Sequence, residues 1–405
     1  MSISQNFPEE GPTLNLNFAG SRTLDPRITF TRTQTTSNGS TYMGRDGLVK
    51  YAGPNEPRFD HRYVNGEIES LGLLIEEQRT NSFPTSEVFV SGWGGGGTTN
   101  TDTILNPYGI LSAVYYITGS EWTRNFNGNN STVLSLSFFT KIRPGGSGST
   151  TYIQIYQETA IGEPSNVGVY NFNMTGSNPD SGRFTNITRT EYPNGWYRFT
   201  CRVASNPSAG QGTFTSTTRI DLEGAFTTNY VWGIQVETGS EFATSYIPTE
   251  GSTKTRNPDN ASITGSNFTE WYNQSEGSVY CAFKLNSTAT ARVFNIDDGT
   301  NTNRISGLVG SSLYQTFINP AAAGPTASFS NIFDFKIASG HQDNNIQVYV
   351  NSIYQNSNTS ITIPKNLNTF RIGNWHNGTF QGTTISQLTY YPTRLTNTQL
   401  QTLTK

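Results

Sequence analysis

The sequence predicts an all-β protein, an N-terminal β-hairpin module followed by two antiparallel β-sandwich (jelly-roll) domains and a short C-terminal helix. Three observations predict it. Apolar and polar residues alternate in short runs, "NLNF", "STVLSLSFF", "TTYIQIYQ", "VGVYNFNM", "GWYRFTCRV", "SVYCAFKL", "NIQVYVN" and "TISQLTYY". Period-two alternation over four to eight residues marks strands with one face buried. Clusters of Gly, Asn and Pro separate the runs, as turns do, and no long stretch has the 3.6-residue period of an amphipathic helix. Only 14% of the 405 residues are charged while 12% are aromatic. An ordinary globular chain carries about 25% charge, so this composition suits β-sheets with polar loops, and the aromatic content with a net charge of −3 argues against disorder.

Breaks in the patterning at Ser82–Ser86 and Thr253–Asn260 divide the chain into an N-terminal module (1–84), a middle domain (85–257) and a C-terminal domain (258–405). In the first, Asn65-Gly66 is the pair favoured in a two-residue type I′ turn, so the flanking residues should pair as a hairpin. Strand alternation then puts Leu71, Leu73, Ile75 and Glu77 on one face, with Leu74 and Glu76 on the other. Adjacent glutamates on opposite faces cannot share a substrate as acid and base. The glycine run Gly94–Gly97 has no following helix or Lys-Ser/Thr and reads as a surface turn rather than a phosphate-binding loop. Trp196 and Trp232 lie within strand-like runs and read as core. At the end, Thr396-Asn397-Thr398-Gln399 is a capping box with Leu395 and Leu400 placed as a hydrophobic staple, which predicts one terminal helix.

Composition also excludes functions. With 26 basic against 29 acidic residues there is no basic face for nucleic acid. The N-terminus has no basic-then-apolar signal segment and no apolar run spans a bilayer, so neither secretion nor membrane insertion is expected. Cys201 and Cys281 are too few for a disulfide framework or a Cys-based zinc site and read as buried free thiols. The three histidines form no metal-ligand cluster, and His61 reads as a structural hydrogen-bonder. No cofactor is implied. Asp297 and Asp298 in "NIDDGTN" could offer oxygens to Ca²⁺, but a polar Asp-Gly turn is the simpler reading.

Particular stretches carry a family resemblance. "LNLNFAGSRTLDPRITFTR" followed by "PRFDHRYVNGEIESLGLLIEEQRTN" resembles the N-terminal module of many phage virion proteins, matching it at Phe18, Ser21, Asp25 to Arg32, Pro57 to His61, Leu71 to Glu77 and Arg79 to Asn81. "YPNGWYRFT" and "VWGIQVETGSEFATSYIPTEGSTKTR" are similar to the carbohydrate-binding-module-like jelly roll of such proteins. "GTTISQLTYYPTRLTNTQLQTLT" resembles the last strand and helix of concanavalin A-like (laminin-G-like) sandwiches. The resemblance covers most of the chain, with the loops at 94–130 and 287–331 outside it. It implies a virion structural protein assembled in the host cytoplasm, a tail fibre, tailspike-like adhesin or head fibre. Such a protein would be a homotrimer that contacts other virion proteins and host cell-surface polysaccharide; a capsid decoration protein without glycan binding is the alternative.

Candidate sites follow from residue chemistry. Sugar binding needs flat aromatic faces with a few placed polar groups. "GNWHNGTF" offers Trp375 and His376 among Asn374 and Asn377, and "GSEWTRNFNGNN" offers Trp122 with Arg124; Trp93 is a weaker platform. Glycan cleavage is not expected, because the Glu-x-Asp-x-Glu triplet of hydrolytic concanavalin-type sandwiches is missing; a depolymerase would need carboxylates such as Asp297, Asp298 and Asp334 to meet across a groove or a subunit boundary. In the hairpin, Arg58, Asp60, Arg62, Glu76, Glu77 and Arg79 alternate in sign. They read as an assembly clasp to a neighbouring subunit, since opposite charges between chains set register.

Overall fold

The computed structural model describes residues 11–33, 39–88, 94–96, 98–118, 122–145, 150–158, 164–206, 212–215, 218–223, 229–285, 291–310, 313–318, 323–328, 334–375, 378–379 and 382–405. Every alternating run is a strand, from Leu14–Asn17 to Thr383–Tyr391, and the expected helix is Asn397–Leu403. Thr396 caps it, its hydroxyl accepting from the Gln399 amide while the Gln399 side chain accepts from the Thr396 amide. Leu395 and Leu400 are buried beside Tyr280 and Tyr349, so the helix closes the outer face of a sheet.

The middle region is a sandwich of two antiparallel sheets. A six-stranded sheet runs in the order Phe184–Tyr192, Trp196–Ala204, Val133–Ile142, Asn229–Thr238, Leu111–Thr118, Thr98–Leu105; a four-stranded one runs Trp122–Phe126, Thr218–Glu223, Thr150–Glu158, Pro164–Asn173. Phe138, Phe172, Phe199 and Ile220 fill the space between them. Trp196 and Trp232 are buried on the opposite face of the larger sheet, with Phe139 and Tyr246. Each such side chain contributes roughly 2 to 3 kcal/mol by leaving water. Cys201 and Cys281 are free and buried.

Residues 1–84 do not form a module of their own. The C-terminal sandwich has one sheet ordered Ile353–Asn358, Ile346–Val350, Phe335–Gln342, Glu276–Leu285, Thr383–Tyr391, Glu67–Ile75, Arg58–Val64. Strand Leu14–Asn17 pairs with the remaining half of Thr383–Tyr391. The facing sheet begins with Thr29–Thr31 against Asn260–Thr264 and continues through Thr369–Ile372, Ala291–Asp297 and Arg304–Gly310. Leu14, Leu16, Phe18, Leu73 and Ile75 therefore belong to the same core as Val279, Phe294 and Leu388. The middle sandwich is an insertion: the chain leaves through Arg79–Asn81 and returns through Lys254–Arg256, and these two strands pair with each other. Sequence patterning shows where strands are, but this pairing joins residues far apart in the chain, and a polar break looks alike in a linker and at an insertion point.

The hairpin turn is as expected, with Asn65 and Gly66 both at positive φ and Val64 opposite Glu67. Alternation along its second strand is broken, however. The register slips between Asp60 and His61, leaving Leu71 as the extra residue of a bulge, so Leu71 does not share the core face of Leu73 and Ile75. Gly72, at φ +102°, makes this possible, since a Cβ there would run into the Ile385 carbonyl oxygen of the neighbouring strand. Gly72→Ala should therefore lower unfolding stability by about 2 kcal/mol or more, read as a shift in the urea midpoint. An unchanged midpoint would mean that the two strands can separate at no cost.

Candidate functional site

Charge in the hairpin is turned inward. Arg58 and Glu76 are 0% and 1% exposed. The Arg58 guanidinium lies 2.7 Å from Glu76 Oε2 and 2.5 Å from Asp259 Oδ2, while Arg32 reaches Asp259 Oδ1 at 2.9 Å and Arg256 reaches Glu76 Oε2 at 3.0 Å. The other lone pairs are also used. Ser245 donates to Glu76 from its amide and its hydroxyl, both at 2.7 Å, and the Glu76 amide donates to Asp259 Oδ2 at 2.9 Å. Three arginines thus share two carboxylates, and the hydroxyl of Thr244, which accepts from Arg256, donates in turn to buried Glu237. Burial alone would push Glu76 up; Arg256, Arg58 and the two Ser245 bonds outweigh it and hold the carboxyl at about 2.

The clasp to a second subunit is corrected accordingly. Arg58 and Glu76 join three parts of one chain, because a buried charge must find partners and these come from 32, 245, 256 and 259. Glu77 pairs with Arg79 at 2.8 Å, and burial pushes it up to about 7. Asp60 accepts from the Met43 amide, with burial raising its carboxyl to about 6. Only Arg62 of the six faces a neighbour across an open surface, pairing with Glu69 at 2.5 Å. His61 donates from Nδ1 to the Met43 carbonyl at 3.0 Å, a structural bond.

Above this network the two sandwiches enclose a cleft of about 690 Å³. Its floor includes Glu76, Thr244 and Ser245; one wall is the hairpin with Tyr63 and Arg62, the other is the pair of strands Phe184–Tyr192 and Trp196–Ala204 with Arg189, Tyr192 and Tyr197. Tyr42 and Lys284 complete it. These four tyrosines are half-buried, each leaving part of its surface open to the cleft. Arg198 is held by the Ser137 hydroxyl and the Thr244 carbonyl, and Arg189 by the carbonyls of Met174 and Gly176. Cleft tyrosines were missed in the sequence because each sits in a run whose alternation also explains it as structure. The available signal was "RTEYPNGWYRF", a tight turn that sets Tyr192 and Tyr197 on paired strands.

Of the described sugar-platform candidates, Asn374, Trp375 and Arg124, none lines that cleft. Trp375 is half-buried with the guanidinium of Arg292 4.4 Å and that of Arg304 5.3 Å from its ring, beside buried Asn374. His376, Asn377 and Trp93 lie outside the described residues, as does the side chain of Trp122; Arg124 is half-buried on its strand, where burial lowers its pKa. Asp297 is buried against Arg371 at 2.8 Å and accepts from the Gly299 amide, and Asp298 accepts from Thr300 and Asn303. These bonds make the segment an Asp-Gly turn in which the carboxylate oxygens of both residues are hydrogen-bonded within the chain. Among the described residues no group of three His, Cys, Asp or Glu could hold a metal. Asp334 lies 3.9 Å from Arg62 just before strand Phe335–Gln342, while Asp297 ends a strand of the facing sheet.

The sequence matches no family model and no curated protein. Solved structures similar to it include a Trypanosoma rangeli sialidase (10% identity, 94% of this chain and 99% of that one, TM-score 0.30). Others are domains LG4-5 of the mouse laminin α1 chain (9%, 77% and 92%, 0.24) and the CBM22-1–CBM22-2 tandem of Paenibacillus barcinonensis Xyn10C (10%, 78% and 98%, 0.26).

Two predictions follow from the network. Asp259→Asn or Glu76→Gln should cost about 3 to 5 kcal/mol, against under about 1 kcal/mol for Arg62→Ala, by chemical denaturation at pH 7. Equal costs would contradict the buried geometry. Glu76 is held below its usual 4.5, so its contribution is present above pH 4.5 and lost as pH falls from 4.5 to about 2. The stability gap between wild type and Glu76→Gln should accordingly shrink by about 3 kcal/mol across that window.

Proposed function

We propose that this chain is a bacteriophage virion protein that binds host surface glycans without cleaving them, through the cleft between its two sandwiches. One observation carries the binding part: the cleft between the sandwiches is bordered by half-buried tyrosines and by arginine, lysine and hydroxyl donors. Tyrosine faces suit the C–H side of a pyranose, and the donors suit its hydroxyls. Because the cleft walls come from the hairpin, the middle sandwich and the C-terminal sandwich, binding depends on the fixed junction beneath them. The virion part rests on the sequence resemblance, which also motivates the homotrimer and the contacts with other particle proteins. With the hairpin charges folded inward, those contacts belong to other surfaces.

Purified protein should be retained by host envelope polysaccharide and release no new reducing ends, and Tyr63→Ala should lose most of the retention while melting at the same temperature. Release of reducing ends would replace a binder with a depolymerase. Retention that survives Tyr63→Ala but is lost in Trp375→Ala would move the site to the C-terminal sandwich.

A further inference from the structure

The cleft does not end at the junction. A second hollow of about 450 Å³ lies along the C-terminal sandwich, lined by Ala282, Asp334, Lys336 and Ser352, and it shares Arg62, Leu71 and Lys284 with the first. The two hollows therefore abut across the bulged hairpin strand. The bulge at Leu71 and Gly72 takes Leu71 off the core face and puts its side chain between them. A groove of this kind fits a polymer better than a compact solute.

Lys284 stands at the crossing. Its strand alternates so that Phe283 and Leu285 enter the core, leaving Lys284 on the outer face. Its ammonium is half-buried and makes no ion pair or side-chain hydrogen bond with any described residue. Of the acids around it, Glu69 pairs with Arg62, Asp60 accepts from the Met43 amide, and Asp334 lies 3.9 Å from Arg62. Arg189 and Arg198, which line the upper hollow, are held by carbonyl and hydroxyl oxygens and by no carboxylate. Burial and the Arg62 charge lower the Lys284 pKa, outweighing the opposing pull of Asp334, Asp60 and Glu69.

We infer that the ligand is an acidic polysaccharide whose chain lies across both hollows with a carboxylate seated on Lys284. This deepens the glycan-binding reading and rests on it. A half-buried lysine at the crossing serves as a point charge for one carboxylate per repeat, while Arg189 and Arg198 bias the upper hollow toward further negative charge.

The test uses the full chain in affinity electrophoresis through gels containing polygalacturonate, polysialic acid, alginate, or neutral dextran and mannan, with an acidic polypeptide, polyglutamate, as a non-sugar polyanion. At least one acidic polysaccharide should retard the protein, neutral glycans and polyglutamate should not, and Lys284→Gln should weaken retardation about tenfold while Lys284→Arg keeps most of it. The melting temperature of Lys284→Gln should match wild type, because the ammonium holds no other side chain. Retardation by neutral glycans that is indifferent to Lys284→Gln would overturn the acidic class and leave glycan binding standing. Equal retardation by polyglutamate would make the groove a general polyanion site and overturn the saccharide. No retardation by any glycan would overturn both readings.

Discussion

Everything else in this molecule depends on one constraint: three buried arginines and two buried carboxylates on the C-terminal side must be satisfied together, and their set is completed only by Ser245 and Thr244 of the middle sandwich. Arg32, Arg58 and Glu76 come from the N-terminal strands, Asp259 and Arg256 from the return into the C-terminal sandwich, and Ser245 from the end of the middle one. Such a cluster adds little net stability over well-packed apolar residues, because each charge must first leave water. Its effect is on geometry. Sliding or hinging of one sandwich against the other would strip buried Glu76, Arg58 and Arg256 of their Ser245 and Thr244 hydrogen bonds, which ties the relative placement to this network.

Two stretches that carry the sequence resemblance, "LLIEEQRTN" and "TSYIPTEGSTKTR", turn out to be the two sides of this junction. Thr80 and Thr255 hydrogen-bond through their hydroxyls at 2.7 Å, and Asn81, fully buried, donates to the carbonyls of Ile234 and Ile247 while accepting from the amides of Phe83 and Val236. Glu76 accepts from Ser245. The same atoms that lock the insertion also make the floor of the cleft, so the network fixes the spacing of the walls that, in the proposed function, hold the ligand. Preorganised walls keep the ordering cost of binding low.

Much of the local structure was legible in the sequence, since it follows from neighbouring residues. Alternation placed the strands, Asn65-Gly66 the turn, and Thr396 with Gln399 the helix start, because each depends on contacts within a few residues. The insertion was not legible, nor were the true partners of Arg58 and Glu76, because those contacts span up to about two hundred residues and polar or charged side chains look alike whether they face solvent, another chain or a buried partner. Assigning them to a neighbouring subunit followed from the rule that charges are rarely buried, which holds only for charges without partners. The bulge at Leu71 was hidden for a related reason. Gly72 was visible, but the carbonyl that forbids a side chain there belongs to Ile385, on a strand more than three hundred residues away.

If the network makes the two sandwiches one body, they should unfold as one. Scanning calorimetry of the full chain at pH 7 tests this most directly. A single transition in the wild type, split into two when Glu76 is replaced by Ala and its bonds to Ser245 are lost, is the predicted result. Two resolved transitions in the wild type, with the middle sandwich melting apart from the other, would contradict it.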